Sequence, residues 1–264
     1  MNEKKPTMDE YPNWLQQFEP FSKSYENYYQ TVTLHMKSEF EDSLFWQTLL
    51  GNLREYNDEY FQETNYQLIG SSESPQILIK PFESFLLKTY RKNVLDNKNW
   101  PEAPQNGWYL PNKWFLQVSD TLRTLIMVKY LDGVEFLINK IKSLGQDMPA
   151  KIEAHLEARD EGYYAAHVYV SHLFEIPNFK WDTQQITTKV EIQITTQLQE
   201  VIRQLLHNYY EEARQTSTKS DQWQWDFRSN EFAANYLGHI LHFLEGIIVE
   251  VRDEQSQIKK EPFL

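Results

Sequence analysis

Lys189-Val190-Glu191-Ile192-Gln193-Ile194-Thr195 alternates polar and apolar side chains at every step, the period-two signature of a β-strand. Val190, Ile192 and Ile194 share one face, and Glu191, Gln193 and Thr195 share the other. An amphipathic helix follows from Gln197 to Arg214, with Leu198, Val201, Leu205 and Tyr209 on one side. Upstream, Val168 to Leu173 repeats the strand pattern, and Leu122 to Tyr130 reads as a third strand. Between the last two, a helix from Gly133 to Leu144 ends at Gly145, a residue suited to a helix C-terminus. Residues 80–93 read as a short helix before an Asn-, Pro- and Gly-rich loop, Asp96 to Asn112. Strands separated by helical segments give an α/β or α+β core.

The flanks are helical. Trp14 to Tyr66 is aromatic-rich, with Phe40, Leu44, Leu49, Leu53, Tyr56 and Tyr60 roughly on one face, and Gly70 to Pro75 is a boundary loop. Residues 1–12 read as a frayed polar tail, and Thr216 to Gln222 as a polar linker. A last helix from Asn230 to Arg252 carries the stripe Leu237, Leu241, Leu244 and Ile248, which reads as its packing face. His239, His242 and Glu245 on that helix are explained by packing better than by a metal, and Trp223, Trp225 and Phe227 are expected to seal it to the core.

The 264 residues are 41% hydrophobic and 15% aromatic, ample for a packed core. A net charge of −12 argues against a dedicated binder of duplex DNA or anionic membranes, whose affinity comes from Lys and Arg. With no cysteine, disulfides, thiolate nucleophiles and zinc–thiolate sites are excluded together. No signal peptide and no apolar run of spanning length are read, so the expected setting is cytoplasmic.

Three segments carry chemistry. Lys80, Ser84, Lys88, Arg91 and Lys92 are spaced to project from one side of a helix, in a stretch (75–100) with five basic and two acidic residues. Such clustering suits a polyphosphate, and equally a solvated face. Asp120 precedes the strand at 122, and Glu191 stands inside the strand at 190–194. Carboxylates at strand edges are what a Mg²⁺ site needs, while Glu191 could equally face solvent. The third segment is Arg159-Asp160-Glu161-Gly162-Tyr163-Tyr164-Ala165-Ala166-His167. There Gly162 implies a tight turn, Tyr163 offers a ring for stacking, and His167 reads as a site residue or a structural one.

In this order and wording the segments resemble the synthetase domain of the RelA/SpoT family, nucleotide pyrophosphokinases, over roughly residues 75–215. The resemblance implies an α+β fold, a mixed β-sheet nucleotidyltransferase-like core with helices packed at both ends. It divides the chain into a helical segment 1–74, the core 75–215 and a helical extension 216–264. It also implies ATP as donor, Mg²⁺ as cofactor, and GDP or GTP as the acceptor whose ribose 3′-hydroxyl receives the pyrophosphoryl group. Asp120 and Glu191 match the metal-binding and catalytic carboxylates. Lys80, Ser84, Lys88 and Arg91 match the basic helix that holds the ATP phosphates, joined by Arg123 and Arg159. Tyr163 matches the tyrosine that stacks on the acceptor base, with His167 and Gln193 in the same motifs.

The departures are specific. The family's Arg-Ser after Gly-Tyr is Tyr164-Ala165 here, and the Arg of its Glu-Ile-Gln-Ile-Arg-Thr strand is Thr195. Arg123 follows Asp120 by three residues, where the common pattern has Gly and sets Arg five after. These positions serve phosphate contacts. The acceptor is therefore GDP/GTP by default, with an adenosine nucleotide or a tRNA 3′ end (as in toxin-like relatives) as the alternative within the chemistry. From another class the alternative is a catalytically silent nucleotide-binding regulator. No upstream His-Asp pair of the family's hydrolase is found. The segments 14–66 and 220–252 lie outside the resemblance, with oligomerisation, toxin neutralisation and core completion as their candidate roles.

Overall fold

The alternating stretch 189–195 is the second half of a 14-residue strand, Thr183–Thr196. Its apolar face, Val190, Ile192 and Ile194, is fully buried, and on the other face Glu191 and Thr195 are buried too. The computed structural model describes residues 4–18, 24–70, 74–148, 150–178, 182–205 and 222–258. Among these, the elements run α1 (Tyr11–Phe18), α2 (Tyr25–Glu41), α3 (Leu44–Thr64), β1 (Leu78–Ile79), α4 (Phe82–Tyr90), α5 (Trp114–Gln117) and β2 (Leu122–Val128). They continue with α6 (Leu131–Asp147), β3 (Ile152–Ala158), β4 (Tyr164–Pro177), β5 (Thr183–Thr196), α7 (Gln197–Leu205) and α8 (Asn230–Ile258). The five strands form one mixed sheet in the order β1-β2-β5-β4-β3. This is the α+β architecture expected, with helices at both ends of the chain.

The chain forms two compact units. The first comprises described residues of 1–46, 77–124 and 169–191, and the second those of 47–76, 125–168 and 192–264. In the first unit Ser24 caps α2 by accepting from the Asn27 N–H. The buried Tyr29 then packs its ring 4.6 Å from Phe85 and 6.0 Å from Phe115, while Trp114 meets Phe85 edge-on at 5.2 Å. This aromatic core fixes α4 against α2. Strand β1 pairs antiparallel with β2, Leu78 opposite Arg123 and Ile79 opposite Leu122. The described N-terminal residues are not frayed. Lys5 donates to the Val94 carbonyl at 2.7 Å, Tyr90 donates its hydroxyl to the Pro6 carbonyl at 2.9 Å, and Tyr11 is fully buried.

In the second unit Thr196 and Ser229 cap α7 and α8, accepting from the N–H groups of Gln199 and Phe232. Helix α8 packs on α6 and α7. Near its end Arg252 is buried, donating to Asp132 at 2.7 Å and to the Tyr60 hydroxyl at 2.8 Å, with the rings of Tyr66 and Tyr130 beside it.

Several expectations change. Trp14–Tyr66 is three helices, and α6 runs past Gly145 to Asp147. Gly145 has a packing reason instead: a Cβ there would lie 2.3 Å from Ile152 Cδ1, so glycine lets β3 approach. Strand β3 escaped the reading because its Glu, Ala, Leu and His content favours helix, and no residue in it is buried. Three of the four stripe residues of α8 face outward, and the fourth, Leu241, is half-buried. Leu237, Leu244 and Ile248 are 40%, 42% and 44% exposed, whereas Ala234, Asn235, Gly238, Glu245 and Arg252 face inward. Residues 230–256 of this helix are long and apolar enough to cross a membrane by length and composition, contrary to the expected lack of such a segment. One 18-residue stretch within it reaches that level although Gly and His interrupt any unbroken apolar run. Trp223 is buried as expected, but Trp225 and Phe227 are exposed. Tyr209 and the linker through residue 221 lie outside the described residues, so the helix begun at Gln197 is followed to Leu205.

Candidate functional site

The first cluster lies in the first unit. Lys80 stands between β1 and α4, outside the helix where its spacing had placed it. Pro81 is the reason: it disfavours helix for the residue before it and itself begins α4, at φ −54°. The Lys80 N–H bonds to the Thr121 carbonyl at 2.9 Å, and its own carbonyl accepts the Tyr29 hydroxyl at 2.6 Å. Held there, the Lys80 ammonium reaches Asp120 Oδ2 at 3.0 Å, while Lys88 on α4 reaches Oδ1 at 2.8 Å. One carboxylate is thus shared by two ammonium groups.

The electrostatics follow from that sharing. Burial raises the Asp120 pKa, but Lys88 and Lys80 outweigh it and hold the carboxyl below its ordinary range. Lys80 has only a share in one carboxylate. Burial therefore dominates and its ammonium titrates lower than usual, with Lys88 and Arg123 adding repulsion. Tyr29 is pushed up, by burial first and then by Asp120. Ser84 is exposed on α4, one turn before Lys88, and Arg123 is exposed on β2. A π-helical turn, Arg91–Leu95, continues α4, and Arg91 pairs with Asp96 at 3.6 Å.

Glu191 is buried on β5 and accepts from the Tyr169 hydroxyl at 3.3 Å, so it does not face solvent. Among the described residues no group of three or more His, Cys, Asp or Glu could hold a metal. Mg²⁺ asks for less: one or two carboxylates, the rest being water and phosphate oxygen. Asp120 Oδ1 is buried with the Lys88 ammonium 2.8 Å away, so a metal held there would displace that lysine. The donor set fits a hard divalent cation.

The second cluster lies in the second unit. Gly162, at φ +77°, closes a turn in which its N–H bonds to the Arg159 carbonyl at 2.9 Å and the Arg159 N–H to the Tyr163 carbonyl at 3.0 Å. Tyr163, at the end of this turn, accepts a hydrogen bond from Gln193 Nε2 at 2.8 Å and lies 3.3 Å from His167 Nε2. The Arg159 guanidinium sits 5.0 Å from the Tyr163 ring centroid. Glu157 meets both Arg159, at 2.6 Å, and His167, at 2.8 Å. The structure therefore brings Arg159, Tyr163, His167 and Gln193 together, and Lys80, Lys88 and Asp120 together.

The two motif departures turn inward. Thr195 is buried and donates to the Tyr164 carbonyl at 3.3 Å. The Tyr164 ring stacks on His242, 3.6 Å between centroids and 6° from parallel, and its hydroxyl meets His239 Nδ1 at 2.8 Å. Sequence reading missed Tyr29, Glu157, Tyr169, Asn235 and Gly238. Only Glu157 left a signal, the alternation of Glu153, His155, Glu157 and Arg159 along β3.

No family model matches the chain, and no curated protein matches it. Solved structures do. A GTP pyrophosphokinase family protein from Streptococcus pneumoniae is similar with TM-score 0.52 and 19% identity, over 85% of this chain and 98% of that one. Small alarmone synthetase 1 from Bacillus subtilis, bound to its product pppGpp, is similar with TM-score 0.50 and 17% identity, over 83% of this chain and 97% of that one. The fold is that of the RelA/SpoT-like small alarmone synthetases.

Proposed function

We propose that the protein is a pyrophosphokinase that moves the β,γ-pyrophosphoryl group of ATP to a ribose 3′-hydroxyl and releases AMP, with GDP or GTP as acceptor. The observation that carries this reading is the convergence of Lys80 and Lys88 on Asp120 at 3.0 and 2.8 Å. That arrangement stores two cations and a carboxylate at one point, and an incoming metal–triphosphate can take over both halves. Asp120 would hold the metal, and Lys80 and Lys88 would hold the phosphates. Asp120 and Glu191 would hold Mg²⁺, which when bound offsets the charge on the transferring phosphates. Lys80, Lys88, Ser84, Arg91, Arg123 and Arg159 are assigned to the donor phosphates. Glu191 is assigned to the acceptor hydroxyl, whose proton it accepts as the bond to the β-phosphorus forms and the bond to AMP breaks. Tyr163 is assigned to stack on the acceptor base, held by Gln193 and His167.

Support for the acceptor comes from fold likeness to a synthetase that carries pppGpp as its product. The inward turn of Tyr164 and Thr195, where the family has phosphate-contact residues, leaves room for a second reading, in which the acceptor is an adenosine nucleotide or a tRNA 3′ end. Incubation with γ-labelled ATP and, separately, GDP, GTP, ADP, ATP and tRNA distinguishes them by which acceptor becomes labelled. Asp120→Asn and Glu191→Gln should each abolish AMP release with the circular-dichroism spectrum unchanged. Turnover retained in both variants would refute the assignment, and magnesium-dependent ATP binding with no AMP from the wild type over hours would indicate a silent nucleotide binder.

A further inference from the structure

We infer that α8, outside the segment that resembles the synthetase family, is a structural wall of the acceptor site, and that Gly238 and His239 are positioning residues for Tyr163. The inference rests on the assignment of Tyr163 to the acceptor. Its geometry is a reciprocal contact of two glycines. A Cβ on Gly162 would lie 2.3 Å from the Asn235 carbonyl oxygen and 3.1 Å from Gly238 Cα. A Cβ on Gly238 would lie 2.2 Å from the Gly162 carbonyl oxygen. Real Cβ atoms do not approach backbone so closely, so the turn rests directly on the helix backbone, and neither residue can carry a side chain unless one of them moves.

His239, next along α8, latches the same turn from its other side. Its Nε2 lies 2.9 Å from the Asp160 carbonyl oxygen, which can only accept, so Nε2–H is the donor. In the neutral ring Nδ1 then accepts from the Tyr164 hydroxyl at 2.8 Å. The residues on both flanks of Gly162-Tyr163 are thereby tied to one helix. Asp160 is held through its carbonyl, and Tyr164 through its hydroxyl and through its stack on His242. Where the family's motif has Arg after Gly-Tyr, this chain has a tyrosine that faces α8. The exchange converts a phosphate-binding position into an anchor for the turn.

Two variants of the full chain test this. Gly238→Ala adds one methyl and favours helix, so α8 should persist, while the turn must shift. His239→Phe keeps a ring but removes the Asp160 and Tyr164 hydrogen bonds. With the acceptor that the labelling assay identifies, each variant should raise the acceptor KM at least tenfold. In both variants amide hydrogen exchange over residues 159–164 should accelerate at least tenfold, with exchange in β5 unchanged. Unaltered exchange over 159–164 in Gly238→Ala would overturn the seat whatever the enzyme does. Faster exchange with an unchanged acceptor KM would overturn the role of the seat in acceptor binding. If the wild type labels no acceptor, the pyrophosphokinase reading has failed, and titration with N-methylanthraniloyl-GDP takes over as the readout. The inference then stands on a tenfold weaker Kd in Gly238→Ala and falls on an equal Kd, or on no binding to the wild type.

Discussion

The half-buried Asp120 and the buried Glu245 are carboxylates in opposite electrostatic settings. Asp120 has two ammonium partners, and Lys88 is the more exposed of them at 36%. Lys88→Met should therefore change stability by less than about 1 kcal/mol while raising the ATP KM roughly tenfold, a loss of about 1.4 kcal/mol of donor binding. Unchanged ATP affinity would separate Lys88 from the phosphates. Among the described basic residues, Glu245 faces only His242, 3.9 Å away, whose own pKa burial lowers. Burial raises its pKa above the ordinary 4.5, against the smaller effects of the Thr196 and Gln199 hydrogen bonds. A raised folded pKa means that its contribution is greatest below pH 4.5 and is lost as pH rises through the folded value. Glu245→Gln should thus melt above the wild type, by a margin that widens between pH 5 and pH 8. A margin constant across that range would mean that the folded pKa is not raised, the carboxylate being ionised alike in the folded and unfolded chain.

Elements here are positioned by small residues and caps more than by periodicity. Gly145 sits inside α6, not at its end, because β3 needs the space of its missing Cβ. Gly145→Val should destabilise the protein by about 2 kcal/mol through overpacking on Ile152, read as a lower urea midpoint at unchanged slope. The exposed Trp225 offers the converse case: Trp225→Ser should shift stability by no more than about 0.5 kcal/mol, in contrast to a residue that seals a core. The helical reading of α8 from its leucines was right in type and inverted in face. An amphipathic pattern says that one side is apolar, but the inward side here is chosen by groups with specific partners. Glu245 meets Thr196 and Gln199, Arg252 meets Asp132 and Tyr60, and Gly238 meets Gly162.

Over the whole molecule the charge of −12 coexists with a local concentration of cations around Asp120, so global charge sets solubility and not the chemistry of one cluster. Arg252 joins α8 to α3 and α6 within the second unit. Arg252→Met, which leaves Asp132 without its main counter-charge, should cost about 2 kcal/mol and speed hydrogen exchange along the last turns of α8. Equal exchange in variant and wild type would assign that helix end to other contacts. The sequence by itself determined the α+β class, the strands around 122–128 and 189–195, and the residue types of both clusters. Alternation, capping and motif order are local or ordinal properties, visible without coordinates. Only tertiary structure decided that Lys80 leaves the helix to share Asp120, that Glu157 meets both Arg159 and His167, and that Tyr164 and Thr195 turn inward. It also decided that α8 shows its leucines outward and seats the Gly162 turn. Each of these depends on which distant backbone comes within a few ångströms, and no spacing along the chain encodes that distance.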